Sequence, residues 1–511
     1  MSKHVSYRPL ALLARGLIAV GGLLLLGIPA AEAQTTYTVH LGAAAGWTDN
    51  IDLSPPGVTS DAEIWQLLPG IHVKHDGQDL QATLDYELQG YQYSGSQHGH
   101  DIYQSGNLYG EGTLLRDWLY VDAGAAADQS VANPIVPASV GLLYPTGNIV
   151  DQTSASAAPV LRHKFAWFQL EASYKWGFVR YKPVGTVDEQ LWDASNQDGS
   201  FKLSSPDPKA DLTWDALYNR QETTYTEIVA PRWLYELAQA DLGWLVAPTV
   251  RLLAQGGTET DLSRSVVDGG LSSPFWLGGF DWSAGPRDEL RFLAGHRFFG
   301  KTFEGSLRHQ SRLLTLQVSY SETPTTGANR AMPQVLSESL VVIPGTPPLG
   351  IPRVTPDAYV LKKLDARAAL TGRLTEIGVK VSSMEASYLT LNGAPAPISS
   401  SDRIRAATLY VSRRMGANVQ GSLRATFDHD DLREGFTQTY NDRLYSLNLS
   451  DQISLHTMLT LAAMHTDRYG AQRYRVNLIT LTLNMSFGNT PGGFPSVTPA
   501  APGAMPAGTG Y

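Results

Sequence analysis

A period of two recurs along this chain and constrains its fold more than any other feature. From Leu80 to Gln89 the even positions are Leu80, Ala82, Leu84, Tyr86 and Leu88, and the odd ones are Gln81, Thr83, Asp85, Glu87 and Gln89. Leu314, Leu316, Val318 and Tyr320 alternate with Thr315, Gln317 and Ser319. Leu423, Ala425 and Phe427 alternate with Arg424 and Thr426, and Ile479, Leu481, Leu483, Met485 and Phe487 with Thr480, Thr482, Asn484 and Ser486. Successive side chains point to opposite faces of a strand, so each segment has one apolar and one polar face. These segments run about ten residues, the length that crosses a bilayer at a tilt. Strands of a soluble sandwich average about five or six residues. The expected fold is therefore all-β, a single large antiparallel transmembrane β-barrel.

The connections agree. Short turns are expected at His75–Asp79, Leu115–Trp118, His163–Ala166, Ser283–Asp288, His309–Arg312, Thr371–Arg373 and Arg413–Ala417. Between them lie longer polar segments at Thr48–Asp61, Ser94–Asp101, Gln129–Asn148, Lys182–Gly199, Gly256–Pro274, Ser321–Asp357, Ser387–Asp402 and His429–Asn441. Outer-membrane barrels have short periplasmic turns and long outer loops, and an even strand number when both ends are periplasmic. The tally is about 22 strands, within a span of roughly 18 to 24. Tyr and Trp recur near the expected interfaces, at Trp47, Trp65, Tyr91, Tyr93, Trp118, Tyr120, Trp167, Tyr181, Trp233, Trp276 and Trp282. Amphipathic rings suit headgroup depth, and strand propensity alone also favours aromatics.

The ends read differently. Lys3, Arg8 and Arg15 precede an apolar run from Gly16 to Ile28, and Ala31-Glu32-Ala33 offers small residues to signal peptidase. Residues 1–33 are thus expected to be a cleaved signal peptide, too short in its apolar part to span a bilayer. The barrel is expected over residues 34–487. Residues 488–511, rich in Pro and Gly and without charge, read as a flexible periplasmic tail. The first strand is expected near Tyr37, which leaves no room for an N-terminal plug.

Composition removes several functions. There is no Cys, hence no disulfide, thiolate metal site or Cys nucleophile. A net charge of −9 argues against a nucleic-acid partner. No nucleophile elbow or Gly-rich phosphate motif occurs. The His98-Gly99-His100-Asp101 segment does not fix a coordination geometry. Asp428-His429-Asp430-Asp431 lacks calcium-loop spacing and reads as an exposed loop tip. No catalytic residue, metal or cofactor is expected, and the chain is not read as an enzyme.

The first third carries family-like motifs: Gly46-Trp47-Thr48-Asp49-Asn50-Ile51, then Leu67-Leu68-Pro69-Gly70-Ile71, then Leu84-Asp85-Tyr86-Glu87-Leu88-Gln89. Later pieces, Leu212-Thr213-Trp214 and Tyr218-Asn219-Arg220-Gln221-Glu222, agree more loosely. In these the chain resembles the outer-membrane β-barrel family associated with the PEP-CTERM and exosortase sorting system. The resemblance implies an outer-membrane location in bacteria that make exopolysaccharide. It carries over no catalytic residues. The chain departs from the usual barrel end, since its terminal-strand aromatic, Phe487, is followed by the tail.

The interior is the remaining candidate site. The chain has 28 Arg and 11 Lys, and 19 of the Arg follow residue 286. Arg facing lipid at the midplane costs ~2–4 kcal/mol. Arg291, Arg297, Arg405, Arg424, Arg443 and Arg475 are therefore expected to line the lumen, opposite acids such as Asp85, Glu87, Asp365 and Glu376. The plainer reading is a salt-bridge ladder that stiffens the wall. The alternative is a track for an anionic polymer, since Arg pairs bidentately with carboxylate or phosphate. The Pro-rich segment Ser321–Asp357 either folds inward as a constriction or stays outside. The functional expectation is a conduit or accessory barrel in exopolysaccharide export or surface-protein sorting. The alternative is a general diffusion porin, and a less favoured one an outer-membrane enzyme. Outer-membrane lipid, exopolysaccharide or its export machinery are the expected partners, and a monomer the expected state.

Overall fold

The computed structural model describes residues 34–488, apart from 95–98, 132–143, 145–147, 185–191, 227–231, 265–268, 333–356, 390–400, 435 and 471. The leader expected over 1–33 and the tail beyond Gly488 lie outside the described residues. So do His98 and most of the long Pro-rich segment.

The first strands are β1 (Gln34–Thr48), β2 (Ala62–Asp76), β3 (Leu80–Ser94), β4 (His100–Leu115), β5 (Leu119–Val131), β6 (Ile149–Lys164) and β7 (Gln169–Val184). Then come β8 (Ala194–Ser204), β9 (Leu212–Tyr225), β10 (Trp233–Ala247), β11 (Val250–Glu259), β12 (Ser273–Gly285), β13 (Asp288–Arg297), β14 (Gly300–Gln310) and β15 (Leu314–Thr326). A single helical turn, α1 (Gly327–Arg330), precedes β16 (Ala358–Thr371), β17 (Thr375–Tyr388), β18 (Ser401–Arg414) and β19 (Val419–Glu434). The last are β20 (Phe436–Ser454), β21 (Thr457–Gly470) and β22 (Tyr474–Gly488).

Each strand pairs antiparallel with its sequence neighbours, and β1 pairs with both β2 and β22. The 22-stranded sheet thus closes on itself and leaves no free edge. The chain enters on β1 and leaves on β22 at the end that carries the short turns. Four register shifts occur there, beside Leu115, Ala247, Gly285 and Ser454, each just before a turn. Such bulges increase local twist as a hairpin closes.

Backbones come very close together across β12 and β13. A Cβ on Gly279 would lie 1.8 Å from the Phe292 carbonyl oxygen, and one on Gly295 1.9 Å from that of Trp276. Only glycine permits the backbones to approach this closely.

One expected connection is absent as a loop. Residues 429–434 and 436–441, expected as the long segment His429–Asn441, are strand instead, paired from His429↔Asn441 to Glu434↔Phe436. Asp428 to Asp431 is therefore wall, not loop tip. Its run of polar residues still pairs through the backbone with residues 439–442, and polarity alone mimics a loop.

Candidate functional site: the barrel interior

Register fixes which side chains share a face, because residues paired across a ladder point the same way. Val39, Leu41 and Trp47 are exposed on β1, with Trp65, Leu67, Leu409, Leu423, Leu447 and Leu481 on other strands. This set forms the outward apolar band. The opposite set faces inward and is mostly polar.

The inward face differs along its length. Toward the turn end it carries ionic pairs that remain partly accessible. His72 meets Asp85, His40 lies 3.2 Å from Glu87, and Arg162 approaches Glu111 at 3.6 Å, Asp122 at 3.9 Å and Glu171 at 4.0 Å. Lys175–Asp198 and Lys202–Asp215 each stand 3.8 Å apart, and Arg367–Glu376 3.5 Å. The side chain of Asp85 is 57 % exposed and that of Arg162 40 %.

Toward the loop end the same face is aromatic and buried. Tyr91, Tyr93, Tyr103, Ile64, Tyr474 and Val476 pack with Ile51 and Leu53 of the first loop and with Tyr144 of the third. Trp233 and Tyr235 of β10 pack with Leu262, which follows β11, and with Ala358 of β16. Leaving β15, α1 crosses to the inward faces of β7–β9. Ala328 and Met332 pack on Val179, Ala194 and Tyr225, and the Thr223 hydroxyl donates to Asn329 Oδ1 at 3.3 Å. Arg330 donates back to the Tyr359 hydroxyl of β16 at 3.2 Å. The described start of the Pro-rich segment is thus a strap across the loop-end mouth.

Two charge networks are embedded in this packed layer. Glu259, fully buried, accepts from Arg297 at 2.5 Å and from the Tyr235 hydroxyl at 2.8 Å. The Arg297 guanidinium also faces Phe275 and Phe299, at 5.7 and 5.3 Å from their centroids. Arg468 forks onto Asp442 at 2.8 and 2.5 Å and lies over Tyr440 and Tyr474, at 4.2 and 5.3 Å. Bidentate geometry and flanking rings compensate the desolvation of the charges.

The register places Asp85, Glu87, Arg291, Arg297 and Arg424 on the inward face. Asp85 and Glu87 meet histidines, not Arg; Arg291 is level with Asp281, and Arg424 with Tyr410. The expected partners do not come together as one track. Arg405, Arg443 and Arg475, expected in the lumen, face outward instead. Arg405 shares the face of Leu409 and Val411, Arg443 is level with outward Phe427, and Arg475 shares the face of Ile479. These strands have 14 to 19 residues, more than the roughly 9–11 that span a bilayer. Their loop ends rise beyond the apolar band, where an outward charge costs only about 0–1 kcal/mol.

The aromatic expectation divides likewise. Trp47, Trp65 and Trp276 are outward and exposed, but Tyr91, Tyr93 and Trp233 are buried inward, and Tyr181 packs in the α1 cluster. Sequence reasoning misses Glu259, because it sits within a segment whose composition reads as loop. The inward polar series Arg251, Gln255 and Glu259 carries its signal.

The family-like motifs build the wall. Asp49 accepts from the Asn477 backbone and side-chain amides at 2.7 and 2.5 Å. The Asn50 side chain bonds Ser54 and the Arg475 carbonyl, so this motif clasps the first loop to β22 at the seam. Gly70 leaves space for the His40 ring, whose Nε2 would lie 2.0 Å from a Cβ there. Among the described residues no group of three or more potential metal ligands occurs.

No family model matches the chain, and no curated protein matches it. Solved structures do. The chain is similar to the FrpB iron transporter from Neisseria meningitidis, in its F3-3 variant, at 9 % identity and a TM-score of 0.51, covering 88 % of this chain and 81 % of that one. The F5-1 variant gives 10 % identity and a TM-score of 0.50, with 89 % and 83 % covered. OccK9 (OpdG) of Pseudomonas aeruginosa overlaps more loosely, at 11 % identity and a TM-score of 0.37, over 89 % and 99 %. The chain is an outer-membrane β-barrel. Its outward apolar band and closed hydrogen-bonding ladder are what a lipid environment demands. The long loops mark the outer end and the short turns the periplasmic end.

Proposed function

We propose that this barrel is a water-filled channel for small hydrophilic solutes, entered through a constricted outer mouth, and not an enzyme. One observation carries the reading. In a closed barrel, inward-facing charges of the periplasmic half stay accessible, including Asp85, Arg162 and Glu171. A dry lumen would have to bury them, at several kcal/mol per ion. Water in the lumen avoids that cost. The shared fold with a named iron transporter supports a transport role. Outer loop residues packed inward favour small solutes over a polymer.

A second reading, an exopolysaccharide conduit, rests on the motifs around Asp49, Gly70 and Asp85. Liposome swelling with the mature chain separates the two. Small neutral sugars should enter, larger ones should be excluded, and the host exopolysaccharide should have no effect. Block by that polymer would favour the conduit. No swelling from folded barrel would overturn both.

A further inference from the structure

The three outward Arg residues belong to a larger surface on β18–β22. Moving around the wall, Arg405 is level with His429, His429 with Asn441, and Asn441 with Tyr469. One row below, Phe427, Arg443, Asp467 and Arg475 are level with one another. Arg403 lies above, held by Glu385 at 2.5 Å. Arg475 is tied to Asp467 at 2.7 Å. Arg443 and Arg473 both face the Tyr469 ring, at 5.0 and 5.7 Å. Arg405 is exposed and has no ion-pair partner among the described residues. Directly beneath, exposed Leu409, Leu423, Leu447, Ile479 and Leu481 continue the apolar band.

Glu385, Asp467 and Asp431, the last 3.4 Å from His429, are fewer than the guanidinium groups of Arg403, Arg405, Arg443, Arg473 and Arg475, and the surface faces away from the lumen. It lies on the loop side of the apolar band, where outer-leaflet headgroups would meet the wall. We propose that it binds the phosphate groups of an outer-leaflet glycolipid, with the acyl chains lying on the apolar band below. Arg405 and Arg443 supply the uncommitted guanidinium donors, and Arg475, already oriented by Asp467, supplies a third. Arg suits phosphate because its planar donors can pair with two oxygens at once. The apolar surface adjoining the patch specifies a lipid-anchored phosphate over a free one.

The test is binding of purified lipopolysaccharide to the mature barrel in detergent, followed by native mass spectrometry and a shift of gel mobility. The Arg405→Gln, Arg443→Gln, Arg475→Gln variant should bind far more weakly, by about tenfold for each guanidinium removed. Wild-type barrel should lose affinity similarly for dephosphorylated lipopolysaccharide. Arg291→Gln, inward and remote, should leave lipid binding unchanged. Heat-modifiable mobility confirms folding. If the triple variant fails to fold, Arg405→Gln alone carries the test, since that substitution breaks no ion pair among the described residues. Undiminished binding by the variant, or by wild type to the dephosphorylated lipid, would overturn the proposal. Full competition by inorganic phosphate would also overturn it, by showing a free-anion site.

Discussion

The outer and periplasmic halves of the lumen are lined by the same strands on the same face, yet they have opposite character. Outside, Tyr91, Tyr103, Trp233, Tyr359 and Tyr474 are buried beneath inward-turned loop residues. Inside the periplasmic half, Arg162, Lys175 and Lys202 stay accessible, with Glu171, Asp198 and Asp215 beside them. Alternation decides which way a side chain points, and depth along the strand decides what it meets. The difference teaches that a barrel lumen can hold a packed core at one end and accessible charges at the other.

The sharpest way to break the contrast is to remove a charge from each half. Glu259→Ala leaves Arg297 buried and unpaired, which should destabilise by about 3–5 kcal/mol. Denaturant unfolding followed by tryptophan fluorescence measures it, and a cost near zero would mean that the outer half is hydrated after all. Ile64→Ala should cost somewhat less, about 2–5 kcal/mol, because a fully buried side chain leaves a cavity.

Labelling sharpens the comparison without relying on stability. The chain has no Cys, so single cysteines report cleanly. A cysteine at Lys202 should react readily with a charged thiol reagent, and one at Thr223, fully buried beside α1, should stay protected until the barrel is unfolded. Equal reactivity would erase the distinction. Smallest of all should be Lys202→Ala, whose partner Asp215 stays accessible. It should shift stability by only about 0–1 kcal/mol while moving ion selectivity toward cations.

Much of this is legible in the sequence, for a physical reason. A barrel wall is specified locally, by alternation and by turn spacing, so the residues of Leu80–Gln89 and Ile479–Phe487 assign themselves to a face by their order alone. The inward positions of Asp85, Glu87, Arg291, Arg297 and Arg424 follow from that rule. Arg405, Arg443 and Arg475 do not, because alternation carries no depth. Above the apolar band the outward face is free to be charged, and period alone cannot say where the band stops. Tyr91 and Trp233 mislead for the same reason, since an aromatic near a strand end serves a headgroup girdle or a lumenal core equally well. The Glu259–Arg297 pair joins β11 to β13 across the intervening β12, so neither partner announces the other in the sequence.

As proposed, the periplasmic half is open to water and continuous with the outer mouth. Single-channel recording of the mature barrel in a planar bilayer tests this most directly. A steady ionic current whose selectivity changes with Lys202→Ala is the predicted result. Silence from barrel shown to be folded by heat-modifiable mobility would contradict the account, and would mean that the packed outer layer seals the lumen completely.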